Sequence, residues 1–192
     1  FSDMTSNIGK FTNAGVSLDK SVAAIQGIAN EAALAGANSE QASHAMYNFA
    51  QALSAGYVKM IDWRSIENAQ MATVEFKNEL IKTAAELGTI TKQGDKYVTT
   101  TTDMNGKVSE AFDATSAFNE SLSHQWMTSE VLTETLAKYA NEEEEIGRKA
   151  FQAAAEVTTF TKLIQTLKEA LGSGWTHTWQ AFIGDFEESK KL

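Results

Sequence analysis

The side chains best suited to chemistry in this chain are three histidines, His44, His124 and His177, and a run of four carboxylates, Glu142 to Glu145. Imidazoles would serve as metal ligands or general bases, and clustered carboxylates would hold a hard cation. Spacing argues against both uses. The histidines stand far apart, and none has a neighbouring ligand at a metal-binding step. Asn141 precedes the acidic run, and Asn141 with Glu144 three residues on fits a helix-capping arrangement, in which first-turn carboxylates oppose the helix dipole. Asp103-Met104-Asn105-Gly106 resembles the start of a calcium loop, but its glycine falls in the fourth position instead of the sixth, so it reads as a turn. Gly172-Ser173-Gly174 lacks the third glycine and the preceding strand of a dinucleotide site. No G-x-S-x-G, Walker or H-E-x-x-H pattern occurs. The sequence argues against an enzyme, and it assigns no catalytic residue, cofactor or metal.

Composition sets wider limits. A chain of 192 residues with 43% apolar and 21% charged residues can bury a core of its own. The net charge is −9, and Arg64 and Arg148 are the two arginines, so direct nucleic-acid binding, which needs clustered Lys and Arg, is not expected. The charge is uneven: residues 1–96 hold eight basic and ten acidic side chains, and residues 97–192 hold eight and fifteen. Cysteine is absent, which excludes disulfides and thiolate metal sites. Proline is absent too, leaving glycine as the punctuation. No apolar run approaches the ~20 residues that cross a bilayer, so membrane contact is expected only through parts of the chain outside this sequence. The opening Phe1-Ser2-Asp3-Met4 has neither initiator Met nor a secretory pattern and reads as a piece of a longer chain.

The elements that must position these residues are organised around Ser21 to Val58, a stretch with only two charged residues, Glu31 and Glu40. Leu18, Val22, Ile25, Ala29 and Ala32 step by four and three along one helical face, after Ser17 as N-cap. Gly36 closes that helix, and Asn38 or Ser39 caps a second one through Ala42, Met46, Phe49 and Leu53, which Gly56 ends. Tyr57 to Ile61 is expected to be extended and to fold back on this hairpin. Asp62 should cap a short helix opened by Trp63, and Asn68 to Leu87 reads as the next helix, stopped by Gly88. Residues 89–109, rich in β-branched side chains around Gln93-Gly94-Asp95 and Asn105-Gly106, read as a small β-meander. Helices then return: Ala111 to His124, one capped by Thr128 or Ser129 and running to Tyr139, one continuing through Phe151 to Glu156, and a last one through Phe160 and Leu171 before an aromatic tail.

The fold class expected is therefore mainly α, a compact multi-helix bundle with a small β-meander insertion around residues 89–109. Residues 1–88 would form an Ala-rich helical subdomain, and residues 110–192 a second helical segment packed on the first. Surface helices normally carry Lys, Glu or Arg on their outer face. The hairpin does not, so its uncharged faces are either buried in their own domain or pressed against other chains. Gln41, His44, Asn48 and Gln51 form one polar stripe, and with the small residues Ala29, Ala45 and Ala52 they make the candidate assembly interface.

A resemblance runs along nearly the whole chain. Ile8-Gly9-Lys10-Phe11-Thr12, Gly15 to Ser21, Ile25 to Asn30, Ala35 to Ser39 and His44 to Asn48 are similar to the tape measure domain of tailed-phage tail length tape measure proteins. So are Lys59-Met60-Ile61-Asp62-Trp63-Arg64-Ser65-Ile66-Glu67-Asn68-Ala69, Gly94 to Val98, Leu132 to Tyr139, Phe160 to Leu163, Gly172 to Trp175 and Gly184 to Glu188. The resemblance implies a structural protein of the virion that occupies the tail lumen or tip, and the host cytoplasm during assembly. It would template the tail tube, fix tail length and take part in DNA ejection. It implies as partners the tail tube protein, tail-tip hub proteins, tail assembly chaperones and further copies of itself, and it assigns no catalytic residue. The alternative from the residues alone is a soluble helical binding module enclosing an apolar ligand.

Overall fold

The computed structural model describes residues 18–102 and 104–156. The protein is mainly α-helical, with one three-stranded antiparallel sheet among the described residues. Helix α1 (Leu18–Leu34) and helix α2 (Ser39–Ala55) form the expected hairpin. Gly36 turns the chain at φ 71°, and the Ala37 N–H closes on the Ala32 carbonyl at 2.9 Å. Asn38 then caps α2: its side-chain oxygen accepts from the Gln41 N–H at 2.9 Å, and its own N–H donates to the Gln41 side chain at 2.8 Å.

The next two elements depart from expectation. Tyr57 and Val58 are extended, and the Val58 N–H donates to the Met127 carbonyl at 2.8 Å. Helix α3 (Met60–Asn68) already includes Met60 and Ile61, so Asp62 lies in its first turn and reaches back to the Lys59 N–H at 3.2 Å instead of preceding the helix. Ile61 consequently faces outward, 73% exposed, and does not fold onto the hairpin. The helix expected from Asn68 to Leu87 begins instead at Val74, as α4 (Val74–Leu87). Gln70 adopts a left-handed φ of 59°, Met71 turns into the core, and the Thr73 hydroxyl restarts the helix by accepting from the Phe76 N–H at 3.1 Å.

Strands β1 (Thr91–Gln93), β2 (Lys96–Thr102) and β3 (Val108–Asp113) follow in sequential order. Thr99 pairs with Phe112 and Val98 with Asp113, so the sheet runs past residue 109 and claims the start of the helix expected from Ala111 to His124. What remains of that helix is one turn, α5 (Phe118–Ser121), and a 3-10 turn (Leu122–His124). Thr128 caps α6 (Ser129–Tyr139) as its sequence predicts, accepting from the Val131 N–H at 3.2 Å. Helix α7 (Glu145–Glu156) starts later than the acidic run suggests. Asn141 accepts from the Glu143 N–H, not in a box with Glu144, and Arg148 donates to the carbonyls of Glu142 and Glu143. Three of the four carboxylates thus sit in a turn ahead of the helix.

One apolar core joins these elements, from Ala24 to Ala154. Its spine is a relay of rings: Phe49 of α2 meets Phe76 of α4 edge-on, Phe76 stacks on Trp63 of α3 and meets Tyr139 of α6, and Phe118 bridges Trp63 and Trp126. Each large ring removes about 150–250 Å² from water, which makes this relay the main apolar contribution. Helix α1 packs against α6, α7 and α2. Ser17, the expected helix from Phe160 to Leu171, the glycines after it, the aromatic tail and His177 lie outside the described residues.

Candidate functional site

The seven residues picked from the hairpin divide by burial. Ala29 and Ala45 are wholly buried and Ala52 is 1% exposed, all within the chain's own core. The small side chains between the larger apolar ones are therefore spent on close packing within the chain. Gln41 and Asn48 are half-buried, while His44 and Gln51 are exposed.

Gln41, His44 and Asn48 come together as one wall of a groove of about 240 Å³. Ser65, Asn68 and Ala69, from α3 and its C-terminal end, form the other wall. Gln51 lies off the groove, where its amide donates to the Tyr47 hydroxyl at 2.9 Å. Capping fixes one end of the wall, since the Gln41 side-chain oxygen is held by the Asn38 N–H. The Asn48 amide donates to the His44 carbonyl at 2.8 Å, which leaves its oxygen as an acceptor. Among the described residues, none that lines the groove is a carboxylate, lysine or arginine. Its described walls offer amide donors and acceptors, and at about 240 Å³ it is smaller than the ~300–1,000 Å³ usual for small-molecule pockets.

His124 is the histidine whose surroundings could not be read from the sequence. Its side chain is 2% exposed, with Nδ1 at 2.9 Å from the Thr99 hydroxyl and Nε2 at 3.3 Å from the Glu110 carboxylate. The ring lies tilted over Phe112, centroids 4.9 Å apart. A hydroxyl, an imidazole and a carboxylate in series are the parts of a nucleophilic triad. Thr99 is itself only 2% exposed, so its hydroxyl is closed to an incoming carbonyl. The series works as a polar rivet that fastens the 3-10 turn to β2 and β3.

Glu31, one of the two charged residues between Ser21 and Val58, is fully buried. Its carboxyl accepts from the Thr73 hydroxyl at 3.0 Å, while its second oxygen has no hydrogen-bond partner. Burial pushes the acid up to about 8, against the opposing pull of the Thr73 hydrogen bond. The Tyr139 hydroxyl faces the same carboxyl without reaching hydrogen-bonding geometry, and burial followed by that neighbour raises its own ionisation far above the ordinary range. The sequence gives one signal for this cluster: a lone glutamate in the stretch of α1 after Lys20, which is otherwise uncharged.

A second groove, between α4 and α7, gathers Glu75, Glu79 and Glu145 with Lys82 and Lys149. Lys82 binds Glu79 at 2.8 Å and Lys149 binds Glu145 at 2.7 Å, so two of the three carboxylates are locally matched by cations. Among the described residues no three His, Cys, Asp or Glu side chains converge as a metal site, and no helix is long and apolar enough to cross a membrane. Comparison with protein-family models, with curated proteins and with solved structures gives no match to this chain.

Proposed function

We propose that this chain is a structural segment of a phage tail tape measure protein, acting through contacts with other tail proteins and with copies of itself. The observation that carries the reading is the run of similar strings from Ile8 to Glu188, above all Lys59 to Ala69, which forms α3 and the end of the groove. The uncharged groove between α2 and α3 supports it, because Gln41, His44 and Asn48 present hydrogen-bonding groups that need not shed ionic hydration on contact. In this reading the segment is a compact folded module of the tail lumen or tip and not the ruler itself. A continuous helix of this length would extend ~290 Å at 1.5 Å per residue, whereas glycine stops and a sheet divide this chain into short pieces.

The partners expected on the groove are the tail tube protein, the tip hub proteins, tail assembly chaperones or a second copy. The role is non-enzymatic and needs no cofactor. The rival reading, a helical module enclosing an apolar ligand, calls for a large apolar cavity, whereas the groove on α2 is open and polar. The test is assembly in phage carrying His44→Lys with Asn48→Lys. Tails that are missing or of altered length, with the isolated variant still folded, support the proposal. Normal tails overturn the groove as the contact, and flanking genes without tube or tip proteins overturn the tail reading.

A further inference from the structure

We propose that Glu31 is a proton-operated latch: as a neutral acid it lies buried where α1 meets the first turn of α4, beside the tie to α6, and its ionisation strands an unpaired charge there and loosens that junction. The geometry is a three-way tie. Glu31 lies one turn from the end of α1 and accepts from the Thr73 hydroxyl, and that same oxygen caps α4 by accepting from the Phe76 N–H. Its neighbour Asn30 donates to the backbone carbonyl of Tyr139, the last residue of α6, at 2.8 Å. Two consecutive residues of α1 thus grip the other two helices, and Phe76 and Tyr139 pack edge to face beside them.

The charges around this tie all favour the neutral form. From α4, Glu75 bears on Glu31, and Glu75 and Glu79 both bear on Tyr139, so the facing ionisable groups are acids. The cations of α4 are turned elsewhere: Lys82 holds Glu79, and Lys77 lies over the Phe118 ring. On α6, Lys138 holds Glu86 and Glu134 is bound by Lys20. On α7, Glu145, Arg148 and Lys149 are exposed, and on α2 His44 is exposed. Among the described residues Glu31 has no ion pair, and a buried carboxylate without one is strongly disfavoured.

The sign follows from proton counting. Between the ordinary glutamate value of 4.5 and about 8, the folded chain holds a proton at Glu31 that the unfolded chain has lost. This group's stabilisation is therefore complete below 4.5, falls as pH rises, and is gone above about 8. Each pH unit in that window raises the unfolding constant about tenfold through this one group.

The test compares urea unfolding of the 192-residue chain and its Glu31→Gln variant from pH 5 to pH 9.5, with a ¹³C titration of the Glu31 carboxyl in the unaltered chain. Expected are an unfolding constant that climbs with pH relative to the variant by about tenfold per unit and then levels; a carboxyl midpoint near 8; and faster amide exchange at Phe76 above that midpoint. Parallel pH profiles, or a carboxyl that titrates near the ordinary 4.5, overturn the proposal. If the glutamine variant does not fold, the carboxyl titration decides alone.

Discussion

Gly27 of α1 lies directly against the backbone carbonyl of Leu136 in α6, so that a Cβ on the glycine would fall on the carbonyl carbon and oxygen. The obstacle is main chain, not a side chain free to swing aside. Gly27→Ala must push two central helices apart, and it is expected to destabilise the fold by about 1–3 kcal/mol or more, despite alanine's better helix propensity. Urea unfolding followed by circular dichroism checks this; a stabilised variant would mean that the two helices do not meet so closely.

The hairpin alanines and the polar stripe should respond in opposite ways to the same substitution. Ala45→Lys or Ala52→Lys buries a charge in the core and is expected to cost several kcal/mol or to prevent folding. Gln51→Lys, on an exposed position, should change stability by less than about 0.5 kcal/mol. Thermal melts of the three variants separate burial in this chain from burial in an assembly.

Thr73 serves α4 as its cap and Glu31 as its hydrogen-bond donor. Thr73→Ala is expected to cost about 1–3 kcal/mol, more than the single cap lost in Thr128→Ala, for which about 1 kcal/mol is expected. Equal losses in urea titrations of the two variants would show that the bond to Glu31 contributes nothing.

Tyr139 presents a buried hydroxyl with no hydrogen-bond partner. Removing it while keeping the ring against Phe76 takes away a desolvated polar group at little packing cost. Tyr139→Phe is therefore expected to be neutral or stabilising by up to about 1 kcal/mol. A loss of 2 kcal/mol or more in the same assay would assign that hydroxyl a bond.

For His124, the two ends of the rivet should differ. His124→Ala strips the Phe112 ring of its cover and leaves the buried Thr99 hydroxyl unpaired, with an expected loss of about 2–3 kcal/mol. Glu110 is 55% exposed in its side chain, so Glu110→Gln should cost no more than about 0.5 kcal/mol near neutral pH. A double-mutant cycle checks the ordering.

The sequence disclosed those features that act over a few residues. Gly36, Gly56 and Gly88 stand in left-handed conformations where they were expected to end helices, and Asn38 and Thr128 cap through their own side chains. Features set by distant partners were hidden. The periodicity of Asn68 to Leu87 conceals the turn at Gln70, because Met71 leaves the helix to reach a core built by other elements. The helix expected from Ala111 to His124 takes in Phe112, yet pairing with Thr99 makes it a strand residue. The groove was half visible: the stripe on α2 could be read from its steps, but the facing wall of Ser65 and Asn68 required the tertiary fold.

The joint where Val58 bonds Met127 and Ser129 bonds both Gly56 and Leu53 fastens the chain's way out of α2 to its way into α6. Residues 59–126, which hold α3, α4, the sheet and α5, form a closed excursion that leaves and returns at that joint. Tension applied to the two ends would fall on the packing of α1 against α6 and α7 together with this joint, ahead of the covalent path through the excursion. Only once those contacts part could the excursion be drawn out, so the joint shields the sheet and its neighbours from an end-to-end pull.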